Sequence, residues 1–226
     1  CKTFYEAYKG ELESVLPVVD ENVPQCIVIM ASNKGMCGSF NSELFSYAEQ
    51  ILSENMKNKF VIVCGKQAIS YFNDKKLRYD KSYVFDDVPT YSDCYEFLHY
   101  IYKQRIGGEV RSVKVVYQKY INVMKQKPCV QELFSGSKQE DFQTNVMFIP
   151  NRNTVVANMA AKIFMAVAYE LILETALGAQ AATLMTMRSA YDTATEYCEA
   201  LESEINRKRQ SAVTEDVIET SSEPME

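Results

Sequence analysis

Hydrophobic and polar positions divide the chain into stretches of different period. Residues 3 to 16 place Phe4, Tyr8, Leu12 and Leu16 at steps of four, which predicts a short amphipathic helix ending before Pro17. After the linker VVDENVP, buried-looking runs alternate with helical patterns. Cys26 to Ala31, Phe60 to Cys64 and Tyr79 to Phe85 predict strands. Asn41 to Asn55, Gln67 to Phe72 and Tyr91 to Arg105 predict helices, the last stopping at Gly107-Gly108. Such alternation predicts βαβ units and a mainly parallel sheet. Ser112 to Val123 and Pro128 to Phe134, joined by the polar MKQK, predict an antiparallel hairpin. Asn145 to Ile149 predicts a last strand, closed by Pro150.

From Thr154, a candidate N-cap, the character changes. No glycine or proline interrupts until Gly178, none follows before Pro224, and strong helix formers dominate. A helix from about 154 to 210 would run roughly 85 Å at 1.5 Å per residue, against about 12 residues for an ordinary globular helix. Leu173, Leu177, Gln180, Leu184, Met187, Tyr191, Ala194, Cys198, Leu201 and Ile205 follow alternating steps of four and three. This is a heptad seam with one polar member, Gln180, and it predicts a partner helix.

Composition narrows the class. Of 226 residues, 47% are hydrophobic and 24% charged, ordinary for a globular protein of one sizeable core or two modest ones. A net charge of −6 argues against a general nucleic-acid binder. No run approaches the ~20 apolar residues of a membrane span. The first residues, Cys1, Lys2, Thr3 and Phe4, do not read as a signal peptide, and the missing initiator Met predicts a fragment or a processed chain. Cys1, Cys26, Cys37, Cys64, Cys94, Cys129 and Cys198 are scattered without a CxxC pair, and His99 is the single histidine. That pattern predicts buried thiols in a reducing compartment, with no structural zinc site and no metal or cofactor ligands.

The glycine stretch "IVIMASNKGMCGSFNSEL" poses the main chemical question. A Walker loop needs G-x-x-x-x-G-K-[ST], whereas here Lys34 precedes the first glycine and Ser39 follows Gly38. The dinucleotide pattern G-x-G-x-x-G is also missing, since only Gly35 and Gly38 are present. The structural reading is a sharp turn permitted by Gly35 and Gly38, with Asn41 or Ser42 capping the next helix. No catalytic constellation emerges elsewhere. His99, between Leu98 and Tyr100, reads as a packed or surface histidine. Asp86-Asp87 and Glu215-Asp216 are adjacent carboxylates that point different ways. Arg207-Lys208-Arg209 reads as a solvated basic stretch.

"INRKRQSAVTEDVIE", "IVIMASNKGMCGSFNSEL" and "KVVYQKYINVMKQKPCVQELF" together resemble the gamma subunit of the rotary proton-translocating ATP synthase. The family pattern near the C-terminus is roughly N-K-A-R-Q-A-x-I-T-Q-E, and Asn206, Arg209, Gln210, Val213 and Thr214 fall in register with it. The match runs ungapped from Phe148 to Glu219 and more loosely back to about Pro24. Pro150, Tyr169, Glu174, Gln180, Ala181, Ala182, Met187, Ala190 and Leu201 also fit. The early pattern, (T/A)-S-D/N-R/K-G-L/M-C-G-x-F-N, corresponds from Ser32 to Gly38 and at Phe40 and Asn41. Departures are Gly178-Ala179 where the family has S-E, Thr183 where it has Arg, and the ending VTEDVIETSSEPME. Family members also open with a long basic helix, of which residues 3 to 16 would be the tail.

The resemblance implies a fold and a role. The fold is α/β, a Rossmann-like mainly parallel sheet with helices, plus a long C-terminal coiled-coil helix. Residues 1–22 would be a remnant helix and linker, 23–150 the α/β domain, 151–220 the shaft helix and 221–226 an acidic tail. The role would be a central rotor shaft without an active site of its own, coupling proton flow through a membrane ring to conformational change at catalytic beta subunits. Leu184, Met187, Tyr191, Ala194, Cys198, Leu201 and Ile205 would form the coiled-coil seam. Arg209, Gln210 and Thr214 would contact beta subunits. The implied partners are the alpha and beta subunits of the head, the epsilon subunit and the membrane c-ring. The implied location is a peripheral membrane complex at the cytoplasmic face of a bacterial plasma membrane, or at the mitochondrial inner membrane. The residues alone also allow a Rossmann-like nucleotide-binding enzyme with a dimerising helix, or a free-standing coiled-coil adaptor.

Overall fold

The computed structural model describes residues 19–20, 22–53, 58–133 and 152–221. Its elements in chain order are β1 (Gln25–Met30), α1 (Phe40–Ser53), β2 (Lys59–Cys64), α2 (Lys66–Asp74), β3 (Lys81–Tyr83), α3 (Tyr91–Ile106), β4 (Val113–Asn122), β5 (Lys125–Leu133) and α4 (Arg152–Ser221). The five strands lie in the order β3-β2-β1-β4-β5. β1 pairs in parallel with β2 and β4, β2 in parallel with β3, and β4 antiparallel with β5. The expected mainly parallel α/β sheet with a long C-terminal helix is therefore present.

The central strands are apolar at nearly every position because both faces are covered. Cys26, Val28 and Met30 join α3 and α4 in one core layer, while Ile27 and Ile29 join α1 and α2 in the other. Val113, Val115 and Tyr117 of β4 continue the first layer, and Val116 belongs to the second. α3 begins with a capping box, in which Thr90 and Asp93 satisfy each other's backbone amides, and it ends at Gly107 as its sequence predicts.

Several local expectations change. The third strand is only Lys81–Tyr83, and the hairpin turn is Val123-Met124. Lys125, Gln126 and Lys127 of the MKQK stretch belong to β5, because the ladder continues to the pair Asn122 and Lys125 across a register shift. Asn41 and Ser42 do not cap α1, which already begins at Phe40. Thr154 likewise lies inside α4, which begins at Arg152. The helix expected at residues 3 to 16, the strand expected at 145 to 149 and the tail beyond Ser221 lie outside the described residues.

The chain divides into two compact units, Cys1–Thr183 and Leu184–Glu226, and the division falls within α4. In the first unit α4 buries Val156, Ala160, Phe164, Val167, Ala168, Leu171 and Ile172 in the sheet's core. Leu173 and Leu177, two positions on from Leu171 and Thr175, are exposed. A two-residue step is roughly 200° around an α-helix, so the seam predicted from the heptads lies on the side opposite the buried stripe. In the second unit every residue from Met187 to Glu219 is exposed.

Candidate functional site

In an open α/β sheet, ligands bind beyond the carboxyl ends of the strands, where the strand order reverses. Here that point lies between β1 and β4, because α1 and α2 cover one face and α3 and α4 the other. The loop after β1 is the glycine stretch; its polar groups bond one another and the start of α2, and from β4 Gln118 Nε2 donates to Phe40 O (2.7 Å). Asn41 is buried; its Oδ1 accepts from Ser32 N–H (3.2 Å) and its Nδ2 donates to Ser32 Oγ (2.8 Å) and Cys37 Sγ (3.1 Å). Asn33 Oδ1 accepts from Lys66 N–H (3.2 Å), and Ser32 O accepts from Gln67 N–H (3.2 Å). Those two amides form the first turn of α2, where an anion would otherwise sit. Cys37, Phe40 and Ala182 form a small buried apolar cluster between the glycine loop and α4.

The turn itself is sharper than its two glycines account for. Left-handed φ angles occur at Met36 (57°) and Gly38 (59°), and Gly35 is outside that region. The glycine that backbone geometry requires most is Gly65, which the sequence reading did not single out. It has φ 95° and ψ 146°, and a Cβ there would lie 2.3 Å from the Ala31 carbonyl oxygen. Its sequence signal is a lone glycine directly between a buried strand and a helix.

The loop of residues 85–89 was also missed, because its contacts go to residues distant in sequence. Asn33 Nδ2 donates to Phe85 O (2.5 Å), and Lys34 forms an ion pair with Asp87. The hydrogen bond from Lys34 holds the Asp87 carboxyl below the ordinary carboxylate range. Two α4 side chains meet the same loop: Tyr169 donates its hydroxyl to Pro89 O (3.1 Å) and Gln180 Nε2 to Asp87 O (2.9 Å). Gln180, the polar member of the predicted seam, thus has a partner within the α/β unit.

The remaining candidates are separate. Asp87 is engaged with Lys34, so Asp86-Asp87 is no acid–base pair. His99 is exposed and stacks on Tyr95, with ring centroids 5.7 Å apart. Cys26, Cys37, Cys64 and Cys94 are buried free thiols, Cys129 is half-buried and Cys198 exposed. Burial pushes Cys26 up to about 12 and Cys94 to about 11, so neither offers the thiolate that nucleophilic chemistry needs. Among the described residues no cluster of His, Cys, Asp and Glu could hold a metal, and no helix is long and apolar enough to cross a membrane.

In the second unit, Leu184, Met187, Tyr191, Ala194, Cys198, Leu201 and Ile205 are all exposed, Tyr191 by 72% and Ile205 by 63%. A shallow groove beside this seam contains Ser189, Ala190, Thr193 and Ala194 between Met185 and Tyr197. Arg209, Gln210 and Thr214 are exposed further along, and Thr214 Oγ1 donates to Gln210 O (2.8 Å). Lys208 pairs with Glu204 one turn back, at 2.9 Å.

A crevice laced in this way should not take up a nucleotide. Calorimetry of the chain with ATP and Mg²⁺ is expected to give millimolar binding or none. Micromolar binding abolished by Gly38→Val would contradict this reading of the loop.

A family model described as ATP synthase matches residues 3–222. The ATP synthase gamma chain of Clostridium pasteurianum is 24% identical over 96% of this chain and 81% of its own length. That of Ruthia magnifica subsp. Calyptogena magnifica is 26% identical over 85% of this chain and 70% of its own length. The fold is similar to a chain of the Euglena gracilis mitochondrial ATP synthase rotor in rotational state 1. The TM-score is 0.64 at 14% identity, covering 92% of this chain and 84% of the other. It is also similar to a chain of the Tetrahymena thermophila mitochondrial ATP synthase central stalk and c-ring, with a TM-score of 0.62 at 16% identity over 84% and 85%.

Proposed function

The chain belongs to the ATP synthase gamma-chain family, and from that premise we propose that it is the central rotor shaft of such a complex. The observation that carries the reading is the extent of the family match, which spans the α/β unit and the exposed helix alike, from residue 3 to 222. The physical requirements of a shaft agree with it. A shaft needs a long helix with an apolar seam for a second helix, and α4 has 70 residues with that seam exposed. It needs no active site of its own, and the side chains of Asn33 and Asn41 in the glycine loop are engaged with the first turn of α2 and with Ser32.

In this reading, proton flow turns a membrane c-ring, the ring turns the α/β unit, and the helix beyond it drives alpha and beta subunits through successive conformations. Catalysis belongs to the beta subunits. Arg209, Gln210 and Thr214 carry polar contacts to them, because exposed polar side chains at the end of an apolar seam suit polar loops better than another helix. The α/β unit meets the epsilon subunit and the ring. The complex sits peripherally at the cytoplasmic face of a bacterial plasma membrane or at the mitochondrial inner membrane.

The experiment is a rotation assay. The chain is assembled with alpha and beta subunits, the head is immobilised, and a probe is attached through Ser70→Cys, on the exposed side of α2, with Cys1 and Cys198 replaced by serine. Unidirectional rotation on adding ATP is the expected outcome. Assembly without rotation would overturn the shaft reading. A stable homodimer that ignores alpha and beta subunits would favour a coiled-coil adaptor.

A further inference from the structure

A helix that transmits torque must be fixed against turning about its own axis, and burial alone does this poorly. The face that α4 sets against the sheet mixes the small Ala160, Ala168 and Gly178 with the bulky Phe164, Leu171 and Ile172. Hydrophobic attraction is non-directional, whereas hydrogen bonds have a preferred direction. Hydrogen bonds that join α4 to the rest of the unit lie on two sides of the helix, with Glu174 on one and Tyr169 and Gln180 on the other, towards the predicted seam.

On one flank Glu174 Oε1 accepts from Tyr120 N–H (3.2 Å), where the β4–β5 ladder shifts register. Glu174 is also hydrogen bonded to the buried hydroxyl of Tyr117, whose ionisation is pushed up by burial, by bonds to Cys129 and Glu174 and by their charge. On the other flank Tyr169 and Gln180 grip the carbonyls of Pro89 and Asp87. Tyr91 packs edge-on against Tyr169, with ring centroids 5.4 Å apart. At 3.6 residues per turn, Glu174 lies roughly 120–140° around the axis from Tyr169 and Gln180. Restraints separated in this way act as a couple: rotation that slackens one stretches the other.

The second flank is a loop, and its stiffness comes from the glycine stretch. Asn33 holds Phe85 O with one end of its amide and Lys66 N–H with the other, and Lys34 holds the Asp87 carboxylate. The loop after β1 is thereby braced against both α2 and the 85–89 segment.

We propose that Glu174 on one side, and Tyr169 and Gln180 on the Asn33-braced 85–89 loop on the other, form a two-sided clasp that fixes the rotational setting of α4 against the sheet. These are positioning residues. The proposal rests on the shaft reading for its purpose, but the clasp itself is a property of the α/β unit.

Two readouts separate these levels. The first is the angular fluctuation of the Ser70→Cys probe in assembled, head-immobilised complexes. Tyr169→Phe with Gln180→Leu removes one flank at similar volume, and Glu174→Leu removes the other. With all three, the fluctuation variance is expected to rise about twofold, since the hydrogen bonds on both sides are gone; each side alone gives an intermediate rise. The second is amide hydrogen exchange over residues 85–90 and 165–182, expected to quicken about fivefold in the same variants. Asn33→Ala, which removes the brace of the 85–89 loop and leaves the sequence of α4 unchanged, should reproduce the one-flank effect, and it serves if the triple variant does not assemble. Unchanged exchange and unchanged variance in an assembled variant would overturn the clasp. A wild-type complex that does not rotate would overturn the shaft reading, while the exchange data would still decide the clasp.

Discussion

Replacing Gly65 with alanine should lower the stability of the chain by about 3 kcal/mol or more, and Gly35→Ala should change it by less than about 0.5 kcal/mol. Both glycines follow buried strands and precede helices, so the contrast isolates geometry. Gly65 has φ 95° and ψ 146°, in a region that L-residues with a Cβ scarcely visit. Its Cβ would also stand 2.3 Å from Ala31 O and 3.0 Å from Ser32 O, both backbone atoms that cannot swing away. Relief requires β1 and β2 to part at their carboxyl ends. Ala31 N–H then loses Cys64 O at 2.9 Å. At Gly35 a Cβ meets only Gln67 Nε2, at 4.0 Å. Urea unfolding of both variants beside the parent chain is the measurement. Equal midpoints for the two would mean that the turn after β2 relaxes freely.

Arg209→Ala and Gln210→Ala should each reduce ATP hydrolysis and synthesis by an assembled complex more than about tenfold, if the proposed contacts act in the rate-limiting step. A hydrogen bond to a charged partner contributes roughly 1.5–3 kcal/mol, and ~1.4 kcal/mol is a factor of ten in rate. Gln210 and Thr214 share a helix face one turn apart, and Arg209 reaches to the adjacent side. Thr214 spends its hydroxyl proton on the Gln210 carbonyl, leaving its oxygen as an acceptor. Lys208 is the internal control. It already pairs with Glu204, and an exposed pair of this kind contributes little, so Lys208→Ala should leave turnover nearly unchanged. Steady-state turnover, with assembly verified by mass, decides. Similar losses at 208, 209 and 210 would point to a diffuse charge contribution and remove the specific roles.

Hydrophobic period made the individual strands, the hairpin and the long helix legible, since each pattern is carried by side chains near one another along the chain. Runs such as CIVIM can be satisfied only by covering both faces of a strand, and alternating strand and helix periods leave few topologies. Limits at turns were less legible. The MKQK stretch is polar enough for a loop, yet Lys125, Gln126 and Lys127 pair with β4 because an exposed sheet edge tolerates polar side chains. Asn41 has the chemistry of a cap, but its amide is spent within the glycine loop on Ser32 and Cys37.

The azimuth of α4 was a matter for tertiary structure. Its sequence carries two apolar stripes roughly 200° apart, one through Phe164, Ala168 and Leu171, the other through Leu173, Leu177 and Leu184. Periodicity picks out the heptad stripe because its steps of four and three are sustained from Leu173 to Ile205, and it says nothing of which stripe meets the sheet. The smaller residues of the first stripe let the helix approach closely: at Gly178 an added Cβ would come within 3.1 Å of the Phe40 ring. The partners of Gln180, Tyr169 and Asn33 were likewise out of reach of the sequence, since these side chains meet groups 93, 80 and 52 positions away. Only the folded sheet brings such distant groups within hydrogen-bonding distance.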